Sequence, residues 1–137
     1  MFNKITTNLM VDDVKATLAF YERALGFRFV MGVPEGSQQV VTTCDDNTPL
    51  GFVILRRDEV ELMLQSQKSL AGELPEFQKR PVGGAVTLYT QVASAKELYE
   101  QIKGRVAILK DLHTTFYGAE EFYLRDGNGY VLTFASR

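Results

Sequence analysis

Residues 5–11 mix apolar and polar side chains without a charge until Asp12-Asp13, the pattern of a short strand. Asp13 suits the N-cap of a helix with Val14, Leu18, Tyr21 and Leu25 on one face and Lys15, Glu22 and Arg23 on the other. Gly26 stands where a helix end favours positive φ. Residues 27–31 then read as a strand and residues 34–37 as a turn. Residues 52–56 and 60–64 read as two further strands joined by a tight turn at Arg57-Asp58.

Residues 66–83 change character, being polar and carrying Gly72, Pro75, Pro81 and Gly83. They are expected to form a linker or lid, with a helical turn near residues 74–78. After them the first pattern returns. Residues 85–92 read as a strand, and Ser94 with Glu97 three places on makes a capping box. Ala95, Leu98, Tyr99 and Ile102 form an apolar helical face, and Gly104 is expected to end it. Strands follow at residues 106–109, 121–125 and 130–134, the last two joined by the hairpin turn Asp126-Gly127-Asn128-Gly129. Laying residues 11–15 over 92–96 matches strand end, N-cap and first helical turn, and places Thr6 on Thr87. Three consecutive strands after each helix argue against a doubly wound parallel sheet, which needs a crossover between every pair. The expected fold is α+β: two βαβββ modules at residues 1–65 and 84–137, separated by residues 66–83.

The 137 residues suit one compact domain or two small modules. A net charge of -2 offers no broad attraction for nucleic acid or an anionic membrane. No secretory pattern opens the chain, and no apolar run nears the roughly 20 residues of a bilayer span. Cys44 is the only cysteine, so an internal disulfide is impossible and a cytoplasmic location is expected. His113 is the only histidine, so a transition-metal site would have to rely on carboxylates.

Three stretches resemble the vicinal-oxygen-chelate superfamily of glyoxalase I, bleomycin-resistance proteins and ring-cleaving dioxygenases. They are Asn8-Leu9-Met10-Val11-Asp12-Asp13-Val14 with Phe20-Tyr21 and Leu25-Gly26-Phe27; Val60-Glu61-Leu62-Met63-Leu64; and Tyr117-Gly118 with residues 121–134, which look like the closing hairpin of bleomycin-resistance-like members. The resemblance implies that the two modules pair into a cupped, half-open barrel with helices outside and a ligand or metal on the concave face. Strand parity agrees, with Leu9 and Val11 toward the helix and Thr6, Asn8 and Met10 on the other face, joined in the second module by Thr87, Tyr89 and Gln91.

Metal-dependent relatives place histidine or glutamate at four inward positions, which the resemblance carries onto Thr6, Glu61, Thr87 and Thr133. Only Glu61 is a strong ligand, so no metal and no cofactor are expected, and no catalytic residue is assigned. The resemblance thus points to metal-free binding or sequestration of a small organic molecule by a homodimer, with neither nucleic acid nor membrane as partner. The alternative is a metal-dependent glyoxalase-like lyase or dioxygenase built around Glu61. Expected ligand-binding residues are Thr6, Asn8, Glu61, Thr87, Tyr89, Tyr117 and Thr133. Glu61 reads either as an acid for a ligand amine or guanidinium, or a general base with raised pKa, or as a remnant satisfied by a Thr, a Tyr or water. Phe116 and Tyr117 read as an aromatic wall or as a core plug, His113 as a solvated loop residue, Glu120-Glu121 as surface, and Cys44 as inert.

Overall fold

A strand can lie parallel to a later neighbour only if the chain crosses over between them, and each half of this chain does so. The computed structural model describes residues 1–137. It divides into a unit spanning Met1–Val82 and another spanning Gly83–Arg137. The first contains β1 (Thr7–Val11), α1 (Val14–Leu25), β2 (Arg28–Pro34), β3 (Leu50–Arg57), β4 (Val60–Ser66) and α2 (Gln67–Glu73), then a 3-10 turn at Pro75–Phe77. The second contains β5 (Thr87–Gln91), α3 (Ala95–Ile102), β6 (Ala107–Thr114), β7 (Glu120–Arg125) and β8 (Val131–Ser136). The strands form two open four-stranded sheets, ordered β1-β4-β3-β2 and β5-β8-β7-β6. In each, the first strand is parallel to the last and the other pairs are antiparallel. The fold is α+β, a βαβββ module repeated with one topology. No helix is long and apolar enough to cross a membrane.

The local signals explain the elements. Asp13 Oδ1 accepts from the Ala16 amide, and Ser94 Oγ from the Glu97 amide, so both helices start at side-chain caps. Gly26 closes α1 at φ 70°, and Arg57 Nη1 donates to the Leu25 carbonyl at 2.7 Å, a cation on the helix C-terminus. One face of each sheet is the core. In the first unit Leu9, Val11, Val53, Leu55, Leu62 and Leu64 are buried, as are Val14, Leu18, Tyr21 and Leu25 of α1. In the second, Phe122 stacks on Phe134 and meets Tyr99 of α3 edge-on, with Leu124 and Leu132 buried on the same side.

Several boundaries differ from the sequence reading. The stretch read as a linker begins as α2, which is capped by Ser66 Oγ and packs against β1, β3 and β4. Gly104 does not end α3; Lys103 does, in right-handed helical geometry. β6 runs on to Thr114, so His113 is a strand residue, because pairing with β7 outweighs the weak local preference of Lys110-Asp111.

Candidate functional site: the open sheet faces

Successive strand residues point to opposite faces, so residues alternating with the core side form the second face of each sheet. In the first unit the register arranges that face in rows. Arg28, Arg56 and Glu61 make one, Met31, Ile54, Met63 and Asn8 the next, and Val33, Phe52, Gln65 and Met10 a third. In the second unit the rows are Arg125, Val131 and Thr87; then Lys110, Tyr123, Thr133 and Tyr89; then His113, Glu121, Ala135 and Gln91.

Glu61 is not a free acid. Lys4 Nζ donates to its Oε1 at 2.7 Å, and Arg56 Nη2 to its Oε2 at 2.6 Å. These bonds, from Lys4 first and then Arg56, hold its carboxyl below the ordinary 4.5. The raised pKa of a general base is therefore contradicted, because two of the chain's own cations stabilise the ionised form. The remnant reading is corrected in its partner too, which is neither a Thr, a Tyr nor water. Nearby, Asn8 Nδ2 donates to Gln65 Oε1, and Gln65 Nε2 to Ser69 Oγ, both at 2.9 Å, so Asn8 belongs to an amide relay into α2.

The second unit holds an arrangement that sequence reasoning assigned to the surface. Glu121 is 1% exposed. Its Oε2 accepts from the hydroxyls of Tyr117 at 2.5 Å and Tyr89 at 3.0 Å, and its Oε1 from Tyr123 at 3.3 Å. Burial pushes its pKa up, but the three phenols outweigh it and leave the carboxyl below 4.5. The bonds to Glu121 raise Tyr89 and Tyr117, the latter to about 12, while burial first and then the Glu121 charge raise Tyr123. His113 meets the Tyr123 ring edge-on at 5.5 Å, Lys110 lies 5.9 Å from the same ring centre, and the Arg137 guanidinium 5.8 Å from that of Tyr117. A signal was present, since Glu121 and Tyr123 share strand parity, but the tyrosines come from β5, the β6–β7 loop and β7.

The other expected residues of the second unit, Thr87, Tyr89 and Thr133, share its open face. Thr87 and Tyr89 are exposed, whereas Thr133 is buried beside Tyr89. Thr6 precedes β1 and is half-buried. Phe116 is fully exposed and Tyr117 partly so, which corrects the core-plug reading: the 115–119 turn closes on hydrogen bonds between Thr115, Gly118 and Ala119, and Tyr117's hydroxyl ties it to Glu121. Glu120 is exposed, as is Cys44.

The donors do not fit the metal that the family pattern implies. Thr133 stands opposite Tyr89, and Thr87 opposite Val131, so the two second-unit threonines are one full pleat out of register. A threonine hydroxyl is a weak neutral ligand. Glu61 would have to release Lys4 and Arg56 to serve a divalent ion. In neither unit do three His, Cys, Asp or Glu side chains gather at one point.

Comparison with known proteins agrees with this topology. Residues 3–134 match the model of the Glyoxalase/Bleomycin resistance protein/Dioxygenase superfamily. No curated protein matches the sequence significantly. Among solved structures, the chain resembles a protein of unknown function from Agrobacterium tumefaciens, with TM-score 0.74, 16% identity and coverage of 100% of this chain and 95% of that one. It likewise resembles a superfamily member from Sphaerobacter thermophilus, with TM-score 0.73, 18% identity and coverage of 100% and 98%. A glyoxalase/bleomycin resistance protein/dioxygenase from Nocardioides gives TM-score 0.69, 17% identity and coverage of 99% and 85%. At these identities the likeness speaks for the fold, and with the family match over almost the whole chain it places this protein in the Glyoxalase/Bleomycin resistance protein/Dioxygenase superfamily.

Proposed function

We propose that this protein binds a small organic molecule on the open faces of its sheets, without a metal ion, and sequesters it instead of transforming it. One observation carries the reading: both carboxylates on those faces are already engaged, Glu61 by Lys4 and Arg56, Glu121 by three tyrosines. An acid so held is neither a ready metal ligand nor a poised base, since both roles demand breaking charge-assisted bonds. What the faces do offer is hydroxyls, amides, aromatic rings and half-buried apolar side chains, the mixture of a small-molecule site.

The test is elemental analysis and native mass spectrometry of protein purified without chelator, with a thermal-shift screen of organic compounds. An organic guest present at 100 times its dissociation constant adds about 2.7 kcal/mol of stability, an easily read rise in Tm. Such a guest, with no stoichiometric metal, supports the proposal. A stoichiometric transition metal lost in Glu61→Ala overturns it in favour of a metal-dependent lyase or dioxygenase.

A further inference from the structure

The first unit's open face carries a charge imbalance that its fold leaves unresolved. Arg28 stands directly opposite Arg56, and Arg56 directly opposite Glu61. Like charges in direct cross-strand opposition destabilise a sheet unless something lies between or upon them. Glu61 pairs with Arg56 and Lys4, but one carboxylate cannot balance three cations, and Arg28 is in no ion pair. The arrangement is layered: the Glu61 side chain is 11% exposed, those of Lys4 and Arg56 59% and 52%. The acid lies beneath and the cations reach outward. Arg56 meets Glu61 through Nη2, so its remaining N–H groups are free to donate elsewhere.

The adjoining rows differ in kind. Met31, Ile54 and Met63, then Val33 and Phe52, are half-buried apolar side chains on the same face. The face thus has a cationic end and an apolar floor within one sheet.

We infer that this face binds an organic anion, its planar carboxylate or phosphoryl head on Arg28 and Arg56 beside Lys4, its apolar ring-bearing body over Met31, Ile54, Met63 and Phe52. The inference rests on the small-molecule reading above and adds the charge and shape of the guest. Arginine forks match such heads with two parallel hydrogen bonds. Glu61 is then a positioning residue that holds Arg56 and Lys4 and does not receive the ligand. That reverses the sign of the ligand expected for Glu61 as a free acid.

The experiment titrates the full chain, labelled at its methionine methyls, with 1-naphthoate, 1-naphthyl phosphate and neutral 1-naphthalenemethanol. Both anions are expected to bind at least about tenfold tighter than the alcohol, the gain of one good charge-assisted contact. The Met31 and Met63 methyl signals should move while that of Met1 stays. Arg28→Gln should weaken both anions about tenfold, leave the alcohol unchanged, and be partly rescued by Arg28→Lys. Arg28 has no internal partner, so this variant keeps the fold. The ratio of carboxylate to phosphate affinity assigns the head group. Equal binding of alcohol and anions, or an Arg28→Gln variant that binds the anions normally, overturns the inference while leaving small-molecule binding standing. Failure of all three probes to move Met31 and Met63 also overturns it, and metal analysis decides the broader proposal separately.

Discussion

The hydroxyl of Tyr117 donates to the carboxylate of Glu121 at 2.5 Å, joining an exposed turn to a fully buried acid. No cation pairs with Glu121 by an ion bridge, so neutral phenols stabilise its charge by hydrogen bonding where arginine or lysine would neutralise it. A buried carboxylate without such donors would pay a desolvation cost far above one hydrogen bond.

Tyr117→Phe removes the shortest of the three bonds while leaving Tyr89 and Tyr123 in place. A hydrogen bond to a charged group contributes about 1.5–3 kcal/mol, so the variant should unfold at lower urea with an unchanged m-value. This bond ties the 115–119 turn to the buried acid in addition to the turn's own hydrogen bonds, so its amides should exchange faster in the variant than in the parent.

Tyr117 has its pKa raised from the ordinary 10.0 to about 12. A group that holds its proton more tightly when folded contributes stability that is complete below pH 10.0 and is lost as pH rises toward about 12. Tyr89 and Tyr123 shift the same way. Absorbance titration at alkaline pH should therefore show late-ionising phenols, and Glu121→Gln should bring Tyr117 back down.

Glu61 gives the acid-side counterpart. Its carboxyl lies below 4.5 through Lys4 and Arg56, so its contribution is present above 4.5 and lost as pH falls through the lowered value. Denaturation at about pH 7 and about pH 3 should show a smaller stability difference in Arg56→Gln than in the parent. An unchanged difference would mean that the pair is too well solvated to matter.

Gly83 adopts φ +83°, and a Cβ there would come within 2.2 Å of the Asn128 carbonyl oxygen. That obstacle is the backbone of the turn at 126–129, which Asp126 Oδ1 holds by accepting from the Asn128 and Tyr130 amides. Gly83→Ala combines left-handed strain with this overlap and should cost about 2 kcal/mol or more, read as a lowered Tm. Gly104→Ala, with open space at its Cβ, serves as the control.

The sequence by itself determined the repeated module, since caps, turns and alternation are local physics. Asp13, Gly26, Ser94 and the 126–129 turn each act within a few residues, and each stands where the pattern put it. Strand parity, also local, separated the helix-packed face from the open one. Only the tertiary structure decided which distant groups the acids on the open faces touch. Lys4 and Glu61 are 57 positions apart, and Tyr89 and Glu121 are 32 apart, so no window of the chain contains either pair. Cross-strand register, which sequence alternation leaves open in steps of two, put Arg28 against Arg56 and Thr133 beside Tyr89. The charge of a site is a sum over such neighbours, and for that reason Glu61, which follows Asp58 and Glu59 along the chain, stands in space beneath two cations.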